Sequence, residues 1–138
     1  LGAFIADKKL MHTLTNNPVL GHITTFGGHP VSCAAGMASM KVLLEQDWIS
    51  RVNEKERLFK TLLVHPKIKN LLTCGLLIAV AFDSFETNKK IIDTCIEHGV
   101  LTDWFLFAPH CMRIAPPLTM GLEEIKKACE VILSAMEN

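Results

Sequence analysis

The chain has 138 residues, of which 49% are apolar and 20% are charged, and its 14 basic side chains balance 14 acidic ones. This length supports one domain with a hydrophobic core, and the composition excludes a disordered or fibrous protein. The even charge balance gives no basic footprint for nucleic acid, and no apolar run reaches the ~18–20 residues that cross a bilayer. We therefore expect a folded, soluble protein without a nucleic-acid or membrane partner.

The five cysteines are odd in number, lie far apart and form no CxxC pair. This pattern indicates reduced thiols in a cytoplasmic protein, most of them buried as small hydrophobic side chains. Spacing gives no support for a zinc site built from these cysteines and the histidines, so we predict no metal. The apolar residues 1–6 have no basic segment before them, so we expect no signal peptide.

The beginning of the chain mixes one apolar stretch with turn-forming residues. Residues 1–6 read LGAFIA and precede an Asp-Lys-Lys sequence, which predicts a buried strand followed by a polar turn. Residues 10–21 contain two asparagines and a proline without a sustained hydrophobic period, so we expect mostly loop there. One helical turn is predicted near residues 9–14.

Residues 24–30 read TTFGGHP and stand directly before an apolar run of helical length. The Gly-Gly pair predicts a tight turn, and Pro30 suits the first position of the helix that follows. Glycines let backbone N–H groups approach a bound group closely, and a neighbouring threonine hydroxyl suits a phosphate oxygen. The residues alone allow two interpretations, an anion site or a turn and helix cap without a ligand.

Helical patterns follow this turn. A helix is predicted over residues 30–46, and because it is apolar on most sides we expect it to be buried or to lie between two bodies. Residues 47–50 predict a break. A second helix with one core face then runs to about residue 64, since Pro66 prevents its continuation.

The next segments combine strand and helix signals. Residues 68–82 predict two strands or one bent strand, with Gly75 at the turn or bend. Ser84 is predicted to cap the start of a helix, and Gly99 is predicted to stop it.

The last third of the chain contains short strands and a final helix. Strands are predicted at residues 100–102 and 111–115, around an irregular excursion over residues 104–110. A cap at Thr119 predicts a last helix to about residue 136. The order of elements indicates an α+β fold, a small and mostly antiparallel sheet with helices packed on one face.

Arg113 is the charged side chain best suited to binding a ligand. It lies in the apolar segment CMRIAPPL, and its planar guanidinium can bind a carboxylate with two hydrogen bonds. The alternative is an arginine on the exposed face of an edge strand. His22, His29 and His110 could act as acid–base groups, but none has a motif partner, which favours structural roles.

Four segments carry a family resemblance: LGAFIA, HITTFGGHP at residues 22–30, CGLLIAVAF at residues 74–82 and MRIAPPLTM at residues 112–120. In this order they resemble the C-terminal part of class III pyridoxal-phosphate-dependent aminotransferases, the group of acetylornithine, ornithine and 4-aminobutyrate aminotransferases. HITTFGGHP is similar to the family's H-x-[ST]-T-[FY]-G-G-N-P motif, and MRIAPPLTM to its R-[LIF]-x-P-P-L segment. The order of the segments is more specific than any one of them.

The resemblance implies roles for individual residues. The family's threonine before the aromatic-Gly-Gly sequence, here Thr25, bonds the phosphate of pyridoxal 5'-phosphate in the neighbouring subunit, and Thr24 is a second candidate beside it. The family's arginine before x-P-P-L, here Arg113, contacts a substrate carboxylate. A cytoplasmic homodimer with active sites shared across its interface is therefore implied. His29 stands where the family usually has asparagine, which leaves the hydrogen bonding of that turn open.

The resemblance also implies the domain organisation of a fold-type I pyridoxal-phosphate enzyme. Residues 1–29 would be the tail of the large cofactor domain, residues 30–49 an interdomain helix, and residues 50–138 the small C-terminal domain. The family's Schiff-base lysine lies upstream of Leu1, and the two lysines after the first strand do not match its motif position. The chain alone would then have no catalytic residue and no transaminase activity.

Two functions of different class remain open from the sequence. The first is the C-terminal fragment of an aminotransferase that transfers an amino group from an ornithine-like amine or amino acid to a 2-oxo acid such as 2-oxoglutarate. A member with another substrate, such as a semialdehyde or a diamine, would share this chemistry. The second is a free-standing, non-catalytic α+β domain that pairs with another protein.

Overall fold

The computed structural model describes residues 1–17, 21 and 23–137. The described residues form five helices and four strands, which confirms the predicted α+β class. They divide into two compact units, Leu1–Gln46 and Asp47–Asn138, and each unit has its own candidate site.

Residues 1–6 form no strand, so the prediction for this segment is wrong. Their backbone is irregular, and the first five side chains are exposed. A strand needs hydrogen bonds from a neighbouring strand, and the described residues of the first unit include none. An apolar sequence without such a partner stays irregular.

Helix α1 covers Lys8–Asn16 and is longer than the single turn predicted near residues 9–14. Asp7 caps it, because a side-chain oxygen of Asp7 accepts a hydrogen bond from the backbone N–H of Lys9 at 2.8 Å. The Asp-Lys-Lys sequence is thus the start of a helix and not a turn. Residues 18–20 of the predicted loop lie outside the described residues.

Helix α2 covers Pro30–Glu45 and confirms the helix predicted after the glycine turn. Pro30 occupies its first turn, where the missing N–H removes no intrahelical bond. Of the two placements expected for this helix, burial is wrong for the described structure, since no residue of α2 is buried, and a place between two bodies stays a prediction. Met37 and Leu44, for example, are 72% and 75% exposed.

The second unit begins with a helix and a hairpin. Helix α3 covers Val52–Leu62, after the predicted break, and strands β1 (Asn70–Cys74) and β2 (Leu77–Ala81) follow it. Gly75 lies in the hairpin turn with a φ of 59°, a left-handed conformation that glycine adopts at little cost. The two-strand interpretation of this segment is therefore confirmed.

Helix α4 covers Phe85–Glu97 and has the predicted boundaries. The Ser84 hydroxyl accepts a hydrogen bond from the backbone N–H of Thr87 at 3.1 Å, which is the N-cap geometry. Gly99 follows the helix with a φ of 84°, the conformation that commonly ends a helix.

The second hairpin differs from the prediction. Strand β3 covers Asp103–Phe105 and strand β4 covers Ala108–Ile114, so the strand predicted at residues 100–102 is wrong and the predicted excursion is the hairpin itself. The Val100 N–H donates to the Cys95 carbonyl oxygen at 2.8 Å. This bond ties Val100 to the end of α4 and keeps it out of the sheet.

Helix α5 covers Leu122–Glu137 and begins later than the cap predicted at Thr119. The backbone N–H of Gly121 donates to Glu124 Oε2 at 2.6 Å. A carboxylate of the first turn thus reaches back to the residue before the helix, and this contact replaces the predicted threonine cap.

The four strands form one antiparallel sheet in the order β1-β2-β4-β3, which confirms the predicted sheet. The register pairs Ile78 with Ile114 and Val80 with Met112, and all four side chains are buried. Helices α3, α4 and α5 cover this face with the buried side chains of Phe59, Leu63, Ile91, Ile92, Cys95, Ile125, Cys129, Ile132 and Met136.

Part of the opposite face is left uncovered by the described residues. Strand alternation places Leu72, Ala79, Arg113 and Asp103 in one row across β1, β2, β4 and β3. We call this row, together with the neighbouring Leu77, the open face. It carries the arginine that the sequence singles out.

Candidate functional site

The TTFGGHP sequence forms a tight turn in the first unit. The Gly27 N–H donates to the Thr24 carbonyl oxygen at 3.2 Å, and the His29 N–H donates to the Phe26 carbonyl oxygen at 3.1 Å. Gly28 has a φ of 73°, in the left-handed region that favours glycine. The predicted turn is confirmed, and it leads directly into α2.

The two threonines of this turn differ in what surrounds them. A Cβ built on Gly27 would lie only 2.5 Å from Thr24 Oγ1, so the Thr24 hydroxyl fills the space that glycine leaves. The Thr25 side chain is exposed, and its hydroxyl makes no hydrogen bond with any residue that the structure describes. Thr25 is therefore the better placed of the two to bind a ligand.

His29 is the N-cap residue of α2, but its side chain makes no capping hydrogen bond. Its ring packs edge-on against Phe26, with the ring centroids 6.2 Å apart. An asparagine at this position could accept a hydrogen bond from the first helical turn. The histidine supplies a ring contact instead, and this geometry gives it no acid–base partner among the described residues.

An anion at this turn would meet two favourable features. The Thr25 hydroxyl can donate a hydrogen bond to an anionic oxygen. The first turn of α2 stands directly behind it, and the unpaired N–H groups and dipole of a helix start favour negative charge. The arrangement therefore suits a phosphate group.

Arg113 on β4 lies opposite Asp103 on β3 in the second unit. Arg113 Nε donates to Asp103 Oδ1 at 2.8 Å, and Arg113 Nη2 donates to Asp103 Oδ2, so two parallel hydrogen bonds hold the carboxylate. The two side chains are 45% and 48% exposed. The guanidinium thus already has the geometry of carboxylate recognition, at a place that solvent reaches.

The strand order corrects the alternative interpretation of Arg113. Strand β4 is hydrogen-bonded to both β2 and β3, so Arg113 lies on a central strand and not on an edge strand. The Thr102 hydroxyl also donates to the Arg113 carbonyl oxygen at 2.7 Å. The backbone of Arg113 is therefore held firmly while its side chain stands on the open face.

Asp103 is the site residue that the sequence prediction missed. A strand predicted at residues 100–102 left Asp103 outside the sheet. With a strand at Asp103–Phe105, antiparallel pairing brings its carboxylate across from Arg113, and opposite charges facing each other across two strands are a recognisable signal.

Two buried polar side chains support the segments next to Arg113. Lys55 of α3 is 3% exposed, and its Nζ donates to the Leu118 carbonyl oxygen at 2.6 Å. Asn88 of α4 is fully buried, and its Nδ2 donates to the Pro109 carbonyl oxygen at 2.7 Å. Because a buried polar group is costly without a hydrogen bond, these contacts tie the start of β4 and the segment that follows it to helices.

The five cysteines are free, and three of them are buried, as expected for small core side chains. Burial raises the pKa of the Cys95 thiol to about 11 and that of the Cys129 thiol to about 12. Burial also raises the pKa of Cys111. These three thiols are therefore poor nucleophiles at neutral pH.

The remaining candidates do not form a cluster. His22 lies outside the described residues, and His110 is exposed on β4. Within the described ranges, no group of three or more His, Cys, Asp or Glu side chains could hold a metal ion. None of the helices in the same ranges is long and apolar enough to cross a membrane.

Known proteins resemble this chain over almost its full length. Residues 1–136 match the family described as aminotransferase class III. The acetylornithine aminotransferase of Haemophilus ducreyi is 33% identical over 137 residues, which are 99% of this chain and 33% of that relative. The chain thus spans about a third of the length of the curated relative that it matches.

Solved structures agree with this assignment. The ornithine aminotransferase of Toxoplasma gondii, described with partial occupancy of PLP at its active site, superposes with a TM-score of 0.78 at 27% identity, covering 94% of this chain and 31% of that one. An aminotransferase of Bacillus anthracis shares the fold, with a TM-score of 0.79 at 20% identity over 94% of this chain and 34% of that one. Because the family match runs from residue 1 to residue 136, the chain belongs to the class III aminotransferase family.

Proposed function

We propose that the chain works as the C-terminal part of a pyridoxal-phosphate-dependent aminotransferase. The whole enzyme would transfer an amino group from an ornithine-like amine or amino acid to a 2-oxo acid such as 2-oxoglutarate. The observation that carries the proposal is the family match over residues 1–136. Two relatives with related donors, acetylornithine and ornithine aminotransferases, support the choice of donor. The division at residues 29–30 and 49–50 into large domain, interdomain helix and small domain is part of the same proposal.

The glycine turn fits the phosphate of the cofactor. When bound, pyridoxal phosphate supplies the carbonyl carbon that takes up the amino group and the ring that withdraws electrons. Thr25 would donate a hydrogen bond to a phosphate oxygen, since its hydroxyl is exposed and has no partner among the described residues. Thr24 is the weaker candidate, because its hydroxyl lies against Gly27. In a homodimer, Thr25 would serve the cofactor of the second subunit.

Arg113 would bind a substrate carboxylate with the geometry that it shows toward Asp103. The Asp103 carboxylate is the same chemical group as the carboxylate of an amino acid or a 2-oxo acid. A substrate must replace it at the guanidinium, and an exposed ion pair of about 0–1 kcal/mol allows this exchange. Arg113 therefore orients the substrate and transfers no proton, because a guanidinium stays protonated in proteins.

The 138-residue chain alone is proposed to be inactive. The resemblance implies that the family's Schiff-base lysine lies upstream of Leu1, so these 138 residues would carry one edge of an active site without the lysine that bonds the cofactor. The free cysteines support a reducing compartment, and we propose a cytoplasmic location.

A free-standing interaction domain is the second candidate function. The open face supports it, since Leu72 and Leu77 are 57% and 51% exposed. Phe107, at the tip of the neighbouring hairpin, is 97% exposed. A domain with such a surface could pair with another protein without doing chemistry.

The intact mass and activity of the natural protein separate the two functions. An antibody raised against the chain would capture that protein for mass spectrometry and for assay with 2-oxoglutarate. Since the chain covers 33% of the relative's length, the first function expects a polypeptide about three times heavier than 15.3 kDa that accepts ornithine or acetylornithine. A natural 15.3 kDa protein without activity would overturn the first function and favour the second. A heavier protein that accepts no amino acid, semialdehyde or diamine would overturn the first.

A further inference from the structure

A cavity of about 460 Å³ lies in the second unit, and neither Arg113 nor Asp103 lines it. Helix α5 forms one wall with Ala128 and Val131. Two other segments, one around Val100 and one around Pro116, contribute further apolar side chains. Cavities of roughly 300–1,000 Å³ with apolar walls are the usual binding places of small organic molecules. The size and the lining therefore suit a ligand of this kind.

Lys127 is the cation at this cavity, on the same side of α5 as Ala128 and Val131. Its ammonium group makes no ion pair or hydrogen bond with any residue in the described ranges. The preceding residue, Lys126, already forms an ion pair, since its Nζ lies 2.6 Å from Glu123 Oε1. Of the two adjacent lysines, Lys127 is the one available to a ligand.

The other titratable side chains at the cavity already have partners. Glu124 Oε2 accepts the Gly121 N–H at 2.6 Å, where the start of α5 also stabilises its charge. His98 Nδ1 lies 2.8 Å from the Thr94 carbonyl oxygen. Because a carbonyl oxygen only accepts, Nδ1 carries the proton in this contact. Lys127 is thus left as the charged group without a partner.

We propose that this cavity binds a small organic anion with an apolar body and one carboxylate, and that the carboxylate lies against Lys127 Nζ. The apolar walls favour a hydrocarbon body over a sugar or a nucleotide. One cation favours a single carboxylate, since phosphate sites in proteins gather several donors. The cavity is formed within the second unit alone, so this proposal does not depend on the proposed aminotransferase function.

A ligand here would also touch the strand end that carries Arg113. Ile114 and Thr102 both line the cavity, on either side of the Arg113–Asp103 pair in sequence. The Thr102 hydroxyl donates to the Arg113 carbonyl oxygen at 2.7 Å. Binding should therefore be detectable at the backbone of Arg113 as well as in the cavity.

Titration of the 138-residue chain with octanoate, followed by two-dimensional NMR of its amide groups, tests the proposal. We expect saturable shifts of the amide signals of Gly99, Thr102, Ala115 and Val131. The uncharged 1-octanol should bind about tenfold more weakly, because it cannot pair with an ammonium group. Equal binding of octanoate and 1-octanol would overturn the proposal, and so would shifts confined to Leu72 and the rest of the open face.

Matched variants sharpen this test. Lys127→Gln should weaken octanoate binding about five- to tenfold, whereas Lys126→Gln should leave it unchanged because Lys126 is paired with Glu123. Ala128→Leu fills the cavity and should abolish binding. If that variant disturbs folding, the comparison of the two glutamine variants still tests whether Lys127 binds the carboxylate, since both variants change exposed residues. Equal effects of the two glutamine variants, or no effect of either, would refute the site.

Discussion

Arg113 and Asp103 face each other across β4 and β3 and share two parallel hydrogen bonds, with Arg113 Nε and Asp103 Oδ1 2.8 Å apart. The group proposed to bind the substrate is thus occupied by a carboxylate of the same chain. If Arg113 binds a substrate carboxylate as proposed, Asp103 would compete with that carboxylate for the guanidinium, and kinetics can measure this competition.

Replacing Asp103 should make the full-length aminotransferase bind its 2-oxo acid more tightly. In Asp103→Asn we expect KM for 2-oxoglutarate to fall about two- to fivefold, because the substrate no longer has to replace one exposed ion pair. Steady-state kinetics would show the change, with kcat little affected. Asp93→Asn is the control, because Asp93 forms an exposed pair with Lys89 on α4 and should leave KM unchanged.

Arg113→Lys provides the opposite change, since lysine cannot bind a carboxylate with a planar fork. It should raise KM about tenfold. If Asp103→Asn raised KM as well, Asp103 would be orienting Arg113 for the substrate and not competing with it.

Thr25 is expected to control cofactor affinity in the full-length enzyme. Thr25→Ala should weaken pyridoxal phosphate binding about tenfold through the loss of a hydrogen bond to a charged oxygen, and Thr25→Ser should retain it. Equilibrium dialysis measures the dissociation constant. Thr24→Ala is the matched control and should have the smaller effect. A larger loss in Thr24→Ala than in Thr25→Ala would exchange the roles of the two threonines.

Lys55 should contribute to stability although it carries a charge. Lys55→Met leaves the Leu118 carbonyl oxygen without its hydrogen bond and should lower the free energy of unfolding by about 1–3 kcal/mol. Urea unfolding of the chain measures this. Lys60→Met on the same helix removes an ion pair between the exposed Lys60 and the half-buried Glu56, and should cost less than about 1 kcal/mol. If both variants lowered the free energy of unfolding equally, the buried hydrogen bond of Lys55 would stabilise the fold no more than the Lys60–Glu56 ion pair does.

Glu56 should make the fold sensitive to acid. The Thr73 hydroxyl donates to Glu56 Oε1 and, together with Lys60, holds the pKa of Glu56 below its ordinary value of 4.5. Because the folded pKa is the lower one, this contact stabilises the fold fully above the unfolded pKa, and its contribution is lost as the pH falls through the folded pKa.

Thr73→Val tests this dependence. It should raise the pKa of Glu56 toward 4.5 in an NMR titration and make the unfolding free energy less dependent on pH in the acid range. Thr61→Val is the control, because the Thr61 hydroxyl donates to the Arg57 carbonyl oxygen within α3. An unchanged Glu56 pKa in Thr73→Val would contradict the assigned cause.

The sequence predicts where a helix or turn begins or ends when residues close to that point in the sequence determine it. Ser84, Gly75 and Pro30 act through their own backbone or side-chain geometry, and each was assigned correctly. The strand at residues 1–6 and the burial of α2 depend on partners that the described residues do not provide. No local pattern can report such a partner.

Only one member of the Arg113–Asp103 pair could be predicted from the sequence. Arg113 stands in a recognisable segment, and its guanidinium chemistry follows from its residue type. Asp103 depends on the register of β3 against β4, which the bond from Val100 to the end of α4 decides. A shift of the predicted strand by three residues was enough to hide the pairing.

The contact between Thr24 and Gly27 makes the effects of substitutions in the glycine turn depend on their order. Gly27→Ala in the present chain would push its Cβ to 2.5 Å from Thr24 Oγ1 and force the hydroxyl away. After Thr24→Ala, the nearest atoms of residue 24 would lie at 3.5 and 3.8 Å, an ordinary contact. The two substitutions are therefore epistatic, and a lineage can acquire a side chain at position 27 more easily once the Thr24 hydroxyl has been lost.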